Sequence, residues 1–292
     1  MARTNDYPDA YKLTRDTNES KRLEAQHIVW KTNIGHLLHP RIVETLALQD
    51  VLIGDVGTGT GAWLLDVASQ PNAENWRFHG LDISDAQFPP SSPVNFSFST
   101  LNILDAVPAE LEGTFDVLHL RLLILGLPAG TWETACTNLF KLLKPGGWLQ
   151  WEEANFGNLS VLQSSPSAYE IRNSTDAFRR AIVSEIDGRG VGFRDVARLD
   201  SIFGAAGFED VRQDLLASDR VLETRKGFSL AVVGAMRGMM KMVSSADEKG
   251  SRWREGGDEW EQLNRTEEAM TREEIYYRAE FMVVTGRKAG RA

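Results

Sequence analysis

The feature that most constrains this chain is a glycine-rich turn that follows a short apolar run. The residues VLIGDVGTGTGAW, from Val51 to Trp63, place Gly57, Gly59 and Gly61 between that run and a stretch with helical spacing. Glycine suits such a turn because it tolerates positive φ angles and lets a ligand approach the backbone closely. A glycine turn between a strand and a helix is typical of nucleotide-cofactor sites, so the sequence predicts one here.

Apolar runs and helical patterns alternate around this turn. The predicted strands are residues 51–56, 76–83, 94–104, 115–125 and 147–153, and the predicted helices are 61–70 and 132–144. The segment between the second and third strands is rich in proline and serine, so no helix is predicted there. Strands that alternate with helices indicate a mostly parallel sheet covered on both faces, which is the doubly wound, Rossmann-like α/β class.

The N-terminal part of the chain has a helical pattern of its own. Leu23, His27, Trp30 and Ile34 recur at helical spacing and define one face. We interpret residues 1–41 as a helical lid that closes over the cofactor. His27 on this face is either a core residue or a group that faces the substrate.

The alternation ends near residue 155. We interpret residues 42–155 as the cofactor-binding core and 156–292 as a helical substrate cap that also supplies the last two strands of the core sheet. Within the cap, the predictions are loops and helices over 156–203, helices over 219–275, and strands at 207–218 and 279–290. Two late strands separated by a long excursion indicate an antiparallel edge on an otherwise parallel sheet.

Composition excludes some classes of function. The net charge is −9, which argues against a nucleic-acid backbone as the main partner. Cys136 is the single cysteine, so an internal disulfide and a cysteine zinc cluster are excluded, and a reducing cytoplasmic location is expected. The N-terminus lacks the apolar core of a signal peptide, and no apolar run has membrane-spanning length. We therefore expect no membrane or nucleic-acid partner.

Two cofactor classes fit the glycine turn. Gly57, Gly59 and Ala62 satisfy the dinucleotide fingerprint, and Asp82 after the second strand fits its ribose-binding acid. Asp55, however, precedes the first glycine, where a carboxylate beside a pyrophosphate is unfavourable. A carboxylate there suits a ligand with an ammonium group and no phosphate, which is S-adenosylmethionine. A nicotinamide-dependent oxidoreductase stays as an alternative.

Four motifs taken in order carry a family resemblance. DVGTGTG, GLDIS, FDVLHLRLL and LLKPGGWLQWEE resemble the successive signatures of the class I S-adenosylmethionine-dependent methyltransferases. YKLTRDTNESKRLEAQH, LLHPRI, LDISDAQFPP and GWLQWEE resemble, more narrowly, fungal methyltransferases of secondary metabolism. The resemblance covers residues 11–153 well, the final strand loosely and 156–275 poorly.

The resemblance implies a set of cofactor-binding residues. Asp55 would lie near the methionine amino group, Asp82 would accept hydrogen bonds from the ribose, and Asn102 would replace the usual acid that accepts from the adenine amino group. Asp105 is the alternative for that last contact. The full predicted set is Tyr11, Arg22, Asp55, Gly57, Thr58, Gly59, Gly61, Asp82, Ile83, Asn102, Ile103 and Arg121.

The predicted catalytic residues lie at the ends of two strands. His119 titrates near neutral pH and is the candidate base, with a buried structural histidine as the alternative. Of Glu152 and Glu153, one should point into the cleft because neighbouring residues of a strand alternate faces. No metal motif is present in the sequence, and no metal is expected. Four methionines at 236, 239, 240 and 242 predict either a helix core or a pocket for an apolar metabolite.

The expected function is methylation of a small-molecule secondary metabolite. Because the cofactor is already activated, holding donor and nucleophile close and aligned can supply much of the catalysis. O-methylation of a polyketide or alkaloid is expected first, and N- or S-methylation next. The alternatives are a protein of this fold that binds the cofactor without methyl transfer, as a regulator or a catalyst of rearrangement or cyclisation, and a methyltransferase that acts on a protein.

Overall fold

Strands at the centre of the computed structural model form one mixed sheet. The structure describes Arg15 and residues 17–46, 50–246 and 251–290. Within these residues the strands are β1 (Leu52–Val56), β2 (Arg77–Asp82), β3 (Phe96–Thr100), β4 (Phe115–Arg121), β5 (Leu143–Ala154), β6 (Ser160–Gln163), β7 (Glu209–Ala217), β8 (Ile275–Arg278) and β9 (Glu280–Arg287). The main sheet has the order β3-β2-β1-β4-β5-β9-β7, and β6 pairs with β8 in a separate ribbon.

Helices cover both faces of this sheet. In the described part of the chain they are α1 (Thr17–Ile34), α2 (Pro40–Val43), α3 (Ala62–Ala68), α4 (Trp132–Leu142), α5 (Tyr169–Gly188), α6 (Phe193–Val196), α7 (Leu199–Ala205), α8 (Thr224–Ala246) and α9 (Asp258–Thr271). Trp63 of α3 is buried in one apolar cluster with Ile53 and Val117. On the other face, the ring of Trp132 in α4 stacks on Trp151 at 5.2 Å between centroids. Among the described residues, no helix combines the length and apolar character that crossing a membrane requires.

The parallel strands bring their carboxyl ends to one edge of the sheet. Val56, near the end of β1, pairs with Leu81 of β2 and with Leu120 of β4. The residues that follow these strands therefore meet at a single edge, where ligands of open α/β sheets bind. No helix lies between β2 and β3, as the sequence predicts.

The C-terminal strand is antiparallel, and it lies one place in from the edge of the sheet. β9 pairs antiparallel with β5 on one side and with β7 on the other. The edge strand is therefore β7, which runs in the direction of the parallel strands. Its exposed side chains alternate with partly buried ones, as expected for an edge covered on one face.

The C-terminal half of α1 is fixed to the core. The ring of Trp30 stacks on Phe281 of β9 at 3.9 Å between centroids. The side-chain amide of Asn33 donates to the carbonyl of Ser218 at 2.9 Å and to the hydroxyl of Thr224 at 3.2 Å. The N-terminal half of the helix extends from this anchor over the carboxyl edge of the sheet. Within the predicted lid, residues 1–41, the described part therefore contains a helix, α1, whose C-terminal end is fixed to the core.

The ribbon of β6 and β8 is absent from the sequence prediction. Ser160 to Gln163 pair antiparallel with Ile275 to Arg278. The sequence predicts loop or helix for Ser160–Gln163, which is wrong, and it makes no prediction for residues 276–278 of β8. Each strand has four residues, which is too short for an alternating pattern to stand out from a helical one. The ribbon forms because two segments that are distant in the sequence pair with each other in the fold.

Candidate functional site

The glycine turn is held against the neighbouring strand by backbone hydrogen bonds. The amides of Gly57 and Thr58 both donate to the carbonyl of Leu81, at 2.7 and 3.1 Å. Gly57, Gly59 and Gly61 all have positive φ, at 72°, 52° and 72°. Residues with side chains rarely adopt this conformation, so the turn requires glycine at these positions.

Protein atoms lie close to all three glycines of the turn, and Gly61 also begins a helix. It is the N-cap of α3, and a Cβ atom there would lie 3.2 Å from the Phe98 ring. A Cβ at Gly57 would lie 2.5 Å from Cδ2 of Leu123. At Gly59 the nearest atom would be Cδ1 of Leu23 in α1, at 3.4 Å. The turn is therefore packed tightly against protein on several sides.

Asp82 connects this turn to the end of β2. Its Oδ2 accepts from the amide of Gly59 at 2.9 Å, and its Oδ1 accepts from the amide of Ser84 at 3.2 Å. Burial raises the pKa of the Asp82 carboxyl, while these two hydrogen bonds lower it by less. The carboxylate thus fixes the turn, and oxygen lone pairs are left that can face a ligand.

A cleft opens between the turn and the N-terminal half of α1. Its floor is formed by the ends of β1, β2 and β4, its apolar side by residues after β2 and β3, and its roof by α1. The lining residues used below are Arg15, Arg22, Leu23, Gln26, Asp55, Gly57, Thr58, Gly59, Asp82, Ile83, Gln87, Asn102, Ile103, His119, Arg121, Leu123 and Leu125. The hydroxyl of Thr58 is buried in this wall with no hydrogen-bond partner in the protein, so it is a polar group that a ligand can satisfy.

His119 lies in the floor of the cleft as part of a buried charge cluster. Its Nδ1 donates to Oδ1 of Asp55 at 2.7 Å, and its Nε2 lies 3.7 Å from Oε1 of Glu152. The ring stacks on Trp63 at 3.7 Å between centroids and is 1% exposed. Burial lowers the pKa of His119, but the two carboxylates more than offset this and raise it above its usual value.

Arg121 lies on the same face of β4 and connects it to α1. Its Nη2 donates to Nδ1 of His27 at 3.1 Å, and Nε2 of His27 donates to Oδ2 of Asp66 at 2.9 Å. Lys31 reaches the same oxygen of Asp66 at 2.5 Å. Burial first, and then the charge of Arg121, lower the pKa of His27. A neutral histidine therefore links the roof of the cleft to its floor.

Glu153 lies on the face of β5 opposite to its neighbour Glu152, which faces His119. Its Oε1 accepts from the amide of Leu123 at 2.8 Å and from Nε1 of Trp151 at 3.1 Å. Burial raises the pKa of Glu153 to about 8, so the side chain is a neutral acid at neutral pH. It holds the turn after β4, in which Leu122 has a φ of 56°. Leu123 and Leu125 of that turn line the cleft.

A second, apolar pocket adjoins the cleft. Leu125, Phe156 and Ala235 line both, and the remaining walls come from α5, α6 and α8. Met236 and Met239 face this pocket, whereas Met240 is buried in the core and Met242 packs against it. The prediction of an apolar pocket therefore describes Met236 and Met239, and the prediction of a helix core describes Met240 and Met242.

Comparison with known proteins places the chain in a family. Residues 55–149 match the model of a methyltransferase domain. An N-methyltransferase of Leptosphaeria maculans, sirN, is 32% identical over 209 residues, which cover 71% of this chain and 70% of that protein. The chain belongs to the class I S-adenosylmethionine-dependent methyltransferases. A methyltransferase of a Penicillium species, grgD, is 40% identical over 160 residues, and the match spans 52% of this chain and 55% of that relative.

Solved structures of methyltransferases share the fold. A methyltransferase solved with the Trm112 activator of Haloferax volcanii superposes with a TM-score of 0.52 at 14% identity, over 97% of this chain and 100% of that one. Phosphoethanolamine N-methyltransferase 2 of Haemonchus contortus, in complex with S-adenosylhomocysteine, gives 0.50 at 12% identity, over 94% of this chain and 58% of that one. At these identities the likeness concerns the fold alone.

The methyltransferase cofactor is S-adenosylmethionine, and the cleft suits it chemically. Asp55 and Asp82 both line the cleft beside the glycine turn, and the carboxylate of Asp55 would be unfavourable beside the pyrophosphate of a dinucleotide. Ile83 and Ile103 offer an apolar wall for a flat base. The unpartnered hydroxyl of Thr58 lies between these two regions. Among the described residues, no cluster of histidine, cysteine or carboxylate side chains is placed to hold a metal ion.

The structure brings most of the predicted cofactor residues together. Those that line the cleft are Arg22, Asp55, Gly57, Thr58, Gly59, Asp82, Ile83, Asn102, Ile103 and Arg121. Gly61 is not in the cleft wall, because its role is to start α3. Tyr11 lies outside the described residues. Asn102 faces the cleft, and its Oδ1 also accepts from the amide of Leu104 at 3.1 Å, whereas Asp105 is not part of the wall.

The two predicted acids at the end of β5 are not in the cleft wall. Glu152 and Glu153 are 1% and 0% exposed. The expectation that one of them points into the cleft is therefore wrong. Helices and turns cover both faces of the sheet at this point, so Glu152 meets His119 and Gln150 instead. Glu152 therefore acts on the site through the His119 ring and through its electrostatic interaction with Arg121.

Three residues of this polar layer were not identified from the sequence. Trp63 stacks on His119, Asp66 accepts from His27 and Lys31, and Gln150 donates to Glu152 at 2.7 Å. Trp63 and Asp66 lie in a pattern that predicts an ordinary amphipathic helix. The one usable signal was Gln150, a polar residue within the otherwise apolar strand GWLQW.

Proposed function

We propose that this chain is an enzyme that transfers the methyl group of S-adenosylmethionine to a nitrogen or oxygen atom of a small molecule. The observation that carries the proposal is the cleft, in which Asp55, Asp82 and Asn102 lie at the ends of three neighbouring parallel strands beneath α1. These groups match, in order, an ammonium, a pair of hydroxyls and an amine on a base. No single simpler ligand requires all three.

The side chains would divide the work of binding as follows. Asp55 binds the ammonium of the cofactor, directly or through water, and the hydrogen bond from His119 holds its side chain in place. Asp82 accepts from the ribose hydroxyls while it holds the turn. Asn102 accepts from the adenine amino group, with Ile83 against the base. Arg121 is placed for the cofactor carboxylate, since Arg22 already forms an ion pair with Glu19 at 2.6 Å.

When bound, the cofactor would supply a methyl group already activated by its sulfonium. The lone pair of the acceptor would take this methyl group, the sulfur would be left as a neutral thioether, and the acceptor proton would be released to solvent as the product leaves the cleft. The protein then needs chiefly to hold the two reactants close and aligned. α1 lies over the cleft. His119 serves as a positioning residue beneath Asp55, since its Nδ1 donates to Asp55 and its Nε2 faces Glu152.

The names of relatives favour nitrogen as the acceptor atom. The proteins sirN of Leptosphaeria maculans, gliN of Aspergillus fumigatus and tcpN of Claviceps purpurea are named N-methyltransferases. The resemblance in the sequence favoured oxygen first. We therefore place N-methylation of a fungal secondary metabolite ahead of O-methylation in this proposal.

Calorimetric titration with S-adenosylhomocysteine, with NADH in parallel, tests the cofactor. Binding of the homocysteine compound that is weakened by Asp82→Ala is expected, and binding of NADH alone would overturn the proposal. Incubation with S-adenosylmethionine and a panel of fungal metabolites tests the reaction by mass spectrometry. Gain of one methyl group by a metabolite is expected. Tight cofactor binding with rearranged but unmethylated products would instead support the alternative in which the cofactor supplies only charge.

A further inference from the structure

The apolar pocket beside the cleft has walls of one chemical kind. Its eleven lining side chains are aliphatic, aromatic or methionine. They come from the turn after β4, the segment after β5, and helices α5, α6 and α8, which lie far apart in the chain. The sulfur of Met236 already accepts a hydrogen bond from the hydroxyl of Tyr277 at 3.5 Å. No charged or hydrogen-bonding side chain is among the lining residues of this pocket.

The pocket adjoins the cofactor cleft and shares three lining residues with it. Leu125, Phe156 and Ala235 form the junction, and each lines both spaces. A molecule with one end in the pocket would therefore have its other end among the residues of the cleft. The polar groups Asp55 and Arg121 are in the cleft and not in the pocket. The two spaces together favour a molecule with an apolar end and a polar, methyl-accepting end.

The shape and surroundings of the pocket suit one group rather than a whole molecule. Its volume is about 30 Å³, which is much smaller than a typical ligand cavity. Native interiors are close-packed, so an apolar space of this kind beside a cofactor cleft is a place where a ligand group gains contacts. Met236 and Met239 on one wall are unbranched and flexible, and can adapt to groups of different outline.

We propose that this pocket binds an uncharged apolar group of the methyl acceptor, such as an aromatic ring or a branched aliphatic chain, and so selects acceptors that carry one. The proposal rests on the proposed function and adds the substrate class to it. Charged groups are rejected, because no lining side chain can compensate a charge that enters. Val183 of α5 and Met239 of α8 both line the pocket and do not line the cleft. Their side chains therefore determine which groups fit.

Two single-ring probes test the charge rule, since the pocket suits one group rather than a whole molecule. Toluene is uncharged, benzoate carries a carboxylate on the same ring, and calorimetry measures the binding of each. Each is titrated into the protein saturated with S-adenosylhomocysteine, so that the cofactor cleft is filled. We expect the uncharged probe to bind at least about tenfold more tightly than benzoate. Equal affinities for the two probes would overturn the proposal.

Two substitutions that fill the pocket, one in α5 and one in α8, test its location. Val183→Phe and Met239→Phe should each weaken binding of the uncharged probe by about tenfold or more, since the added ring occupies the space. Ile171→Phe is the matched control, because Ile171 is a half-buried residue of α5 that does not line the pocket. Its probe affinity should change by less than about twofold. Thermal melting of each variant verifies that it is folded.

Titration with S-adenosylhomocysteine separates this inference from the proposed function. Both pocket variants should bind the cofactor product as the unsubstituted protein does, because neither residue lines the cleft. Unchanged probe binding in both folded variants would overturn the pocket assignment and leave the methyltransferase proposal intact. Failure of the unsubstituted protein to bind S-adenosylhomocysteine would overturn the proposed function and the acceptor assignment with it.

Discussion

Nδ1 of His119 donates a hydrogen bond to Oδ1 of Asp55 over 2.7 Å, on the side of the sheet that α3 covers. Its other nitrogen faces Glu152 at 3.7 Å. Burial lowers the pKa of His119, and the two carboxylates outweigh burial and raise it. The folded protein therefore favours the imidazolium, which balances two negative charges that are almost completely buried. This arrangement makes the ring a structural cation rather than a proton acceptor.

Replacing His119 by Asn should destabilise the protein more than it affects catalysis. The substitution removes the cation that faces Asp55 and Glu152 and leaves them only the charge of Arg121, which costs about 3 kcal/mol of unfolding free energy. Urea unfolding at neutral pH measures this loss. The double variant Asp55→Asn with His119→Asn should recover part of it, because one uncompensated charge is removed as well. Normal stability with abolished turnover would instead identify His119 as the base.

The same pair gives a direction for the pH dependence of stability. Because the folded pKa of His119 is raised above 6.5, its contribution is present in full below pH 6.5 and is lost as pH rises through the folded value. The His119→Asn variant should lack this loss. Unfolding free energies of both proteins between pH 6 and 9 provide the comparison, and parallel curves would contradict the assignment of a raised pKa.

His27 should make cofactor affinity sensitive to acid. Its Nδ1 accepts from Arg121, and the groups that face it are Arg121 from β4, Asp66 from α3 and Lys31 from its own helix. Burial and Arg121 lower the pKa of His27, so it gains its proton only below pH 6.5. That proton would occupy Nδ1 and turn the hydrogen bond to Arg121 into a repulsion, which disturbs both the roof and the floor of the cleft.

Calorimetry with S-adenosylhomocysteine between pH 7.5 and 5.5 measures this effect. The affinity of the unsubstituted protein should fall as the pH decreases and His27 gains its proton. His27→Gln keeps an acceptor for Arg121 and a donor for Asp66 but does not titrate, so its affinity should stay constant. His79→Gln is the control, because His79 also has a pKa lowered by burial but bonds to Ser99 outside the cleft. A pH step that survives in His27→Gln would refute this prediction.

The order of the core elements could be predicted because each is set by a local pattern. The strand at residues 52–56 is a buried apolar run that ends at a glycine turn, and the helix at 132–142 ends where Leu143 begins the next strand. The ribbon of β6 and β8 could not be predicted, since its strands are short and depend on a partner more than a hundred residues away. Long-range pairing of this kind leaves no period in the sequence.

The residues of the candidate site that lie at strand ends and in the glycine turn could be predicted, whereas the contacts between distant elements could not. Gly57, Asp55 and Asp82 follow directly from strand ends and turn chemistry. The contact of His27 with Asp66 joins residues on two helices whose relative orientation no local pattern defines. Glu152 and Glu153 alternate faces as expected, yet which elements cover those faces depends on α1 and on the turn after β4. Tertiary packing therefore decided whether a predicted polar residue meets the ligand or another side chain.

Glu153 should make the protein less stable as pH rises. Burial raises the pKa of Glu153 to about 8, well above its ordinary value of 4.5. The unfolded chain ionises first, so stability falls from about pH 4.5 and levels off above pH 8, by an amount of the order of 5 kcal/mol. Glu153→Gln should abolish this fall, because the amide oxygen can still accept from Leu123 and Trp151 and nothing titrates.

Urea unfolding at pH 5, 7 and 8.5 tests the effect of Glu153. Glu110→Gln is a suitable control, since Glu110 is exposed and its neutralisation should leave the pH dependence unchanged. The Glu153→Gln variant should be as stable as the unsubstituted protein at pH 5 or slightly less so, and more stable at pH 8.5. A pH dependence that is the same in both proteins would show that Glu153 ionises normally.

Gly57 should resist substitution for two separate reasons, and the chain offers a control that isolates one of them. Gly57→Ala places a side chain at a φ of 72° and sets its Cβ 2.5 Å from Cδ2 of Leu123. Gly113→Ala meets a similar φ of 64° with no atom within 4 Å. The control should lose about 1 kcal/mol of stability from backbone strain alone, and Gly57→Ala about 2–4 kcal/mol because overpacking adds to strain.

Since Leu123 lines the cleft, only Gly57→Ala should also weaken binding of S-adenosylhomocysteine in calorimetry. Equal stability losses with unchanged affinity in both variants would mean that Leu123 moves aside freely and does not fix the shape of the site.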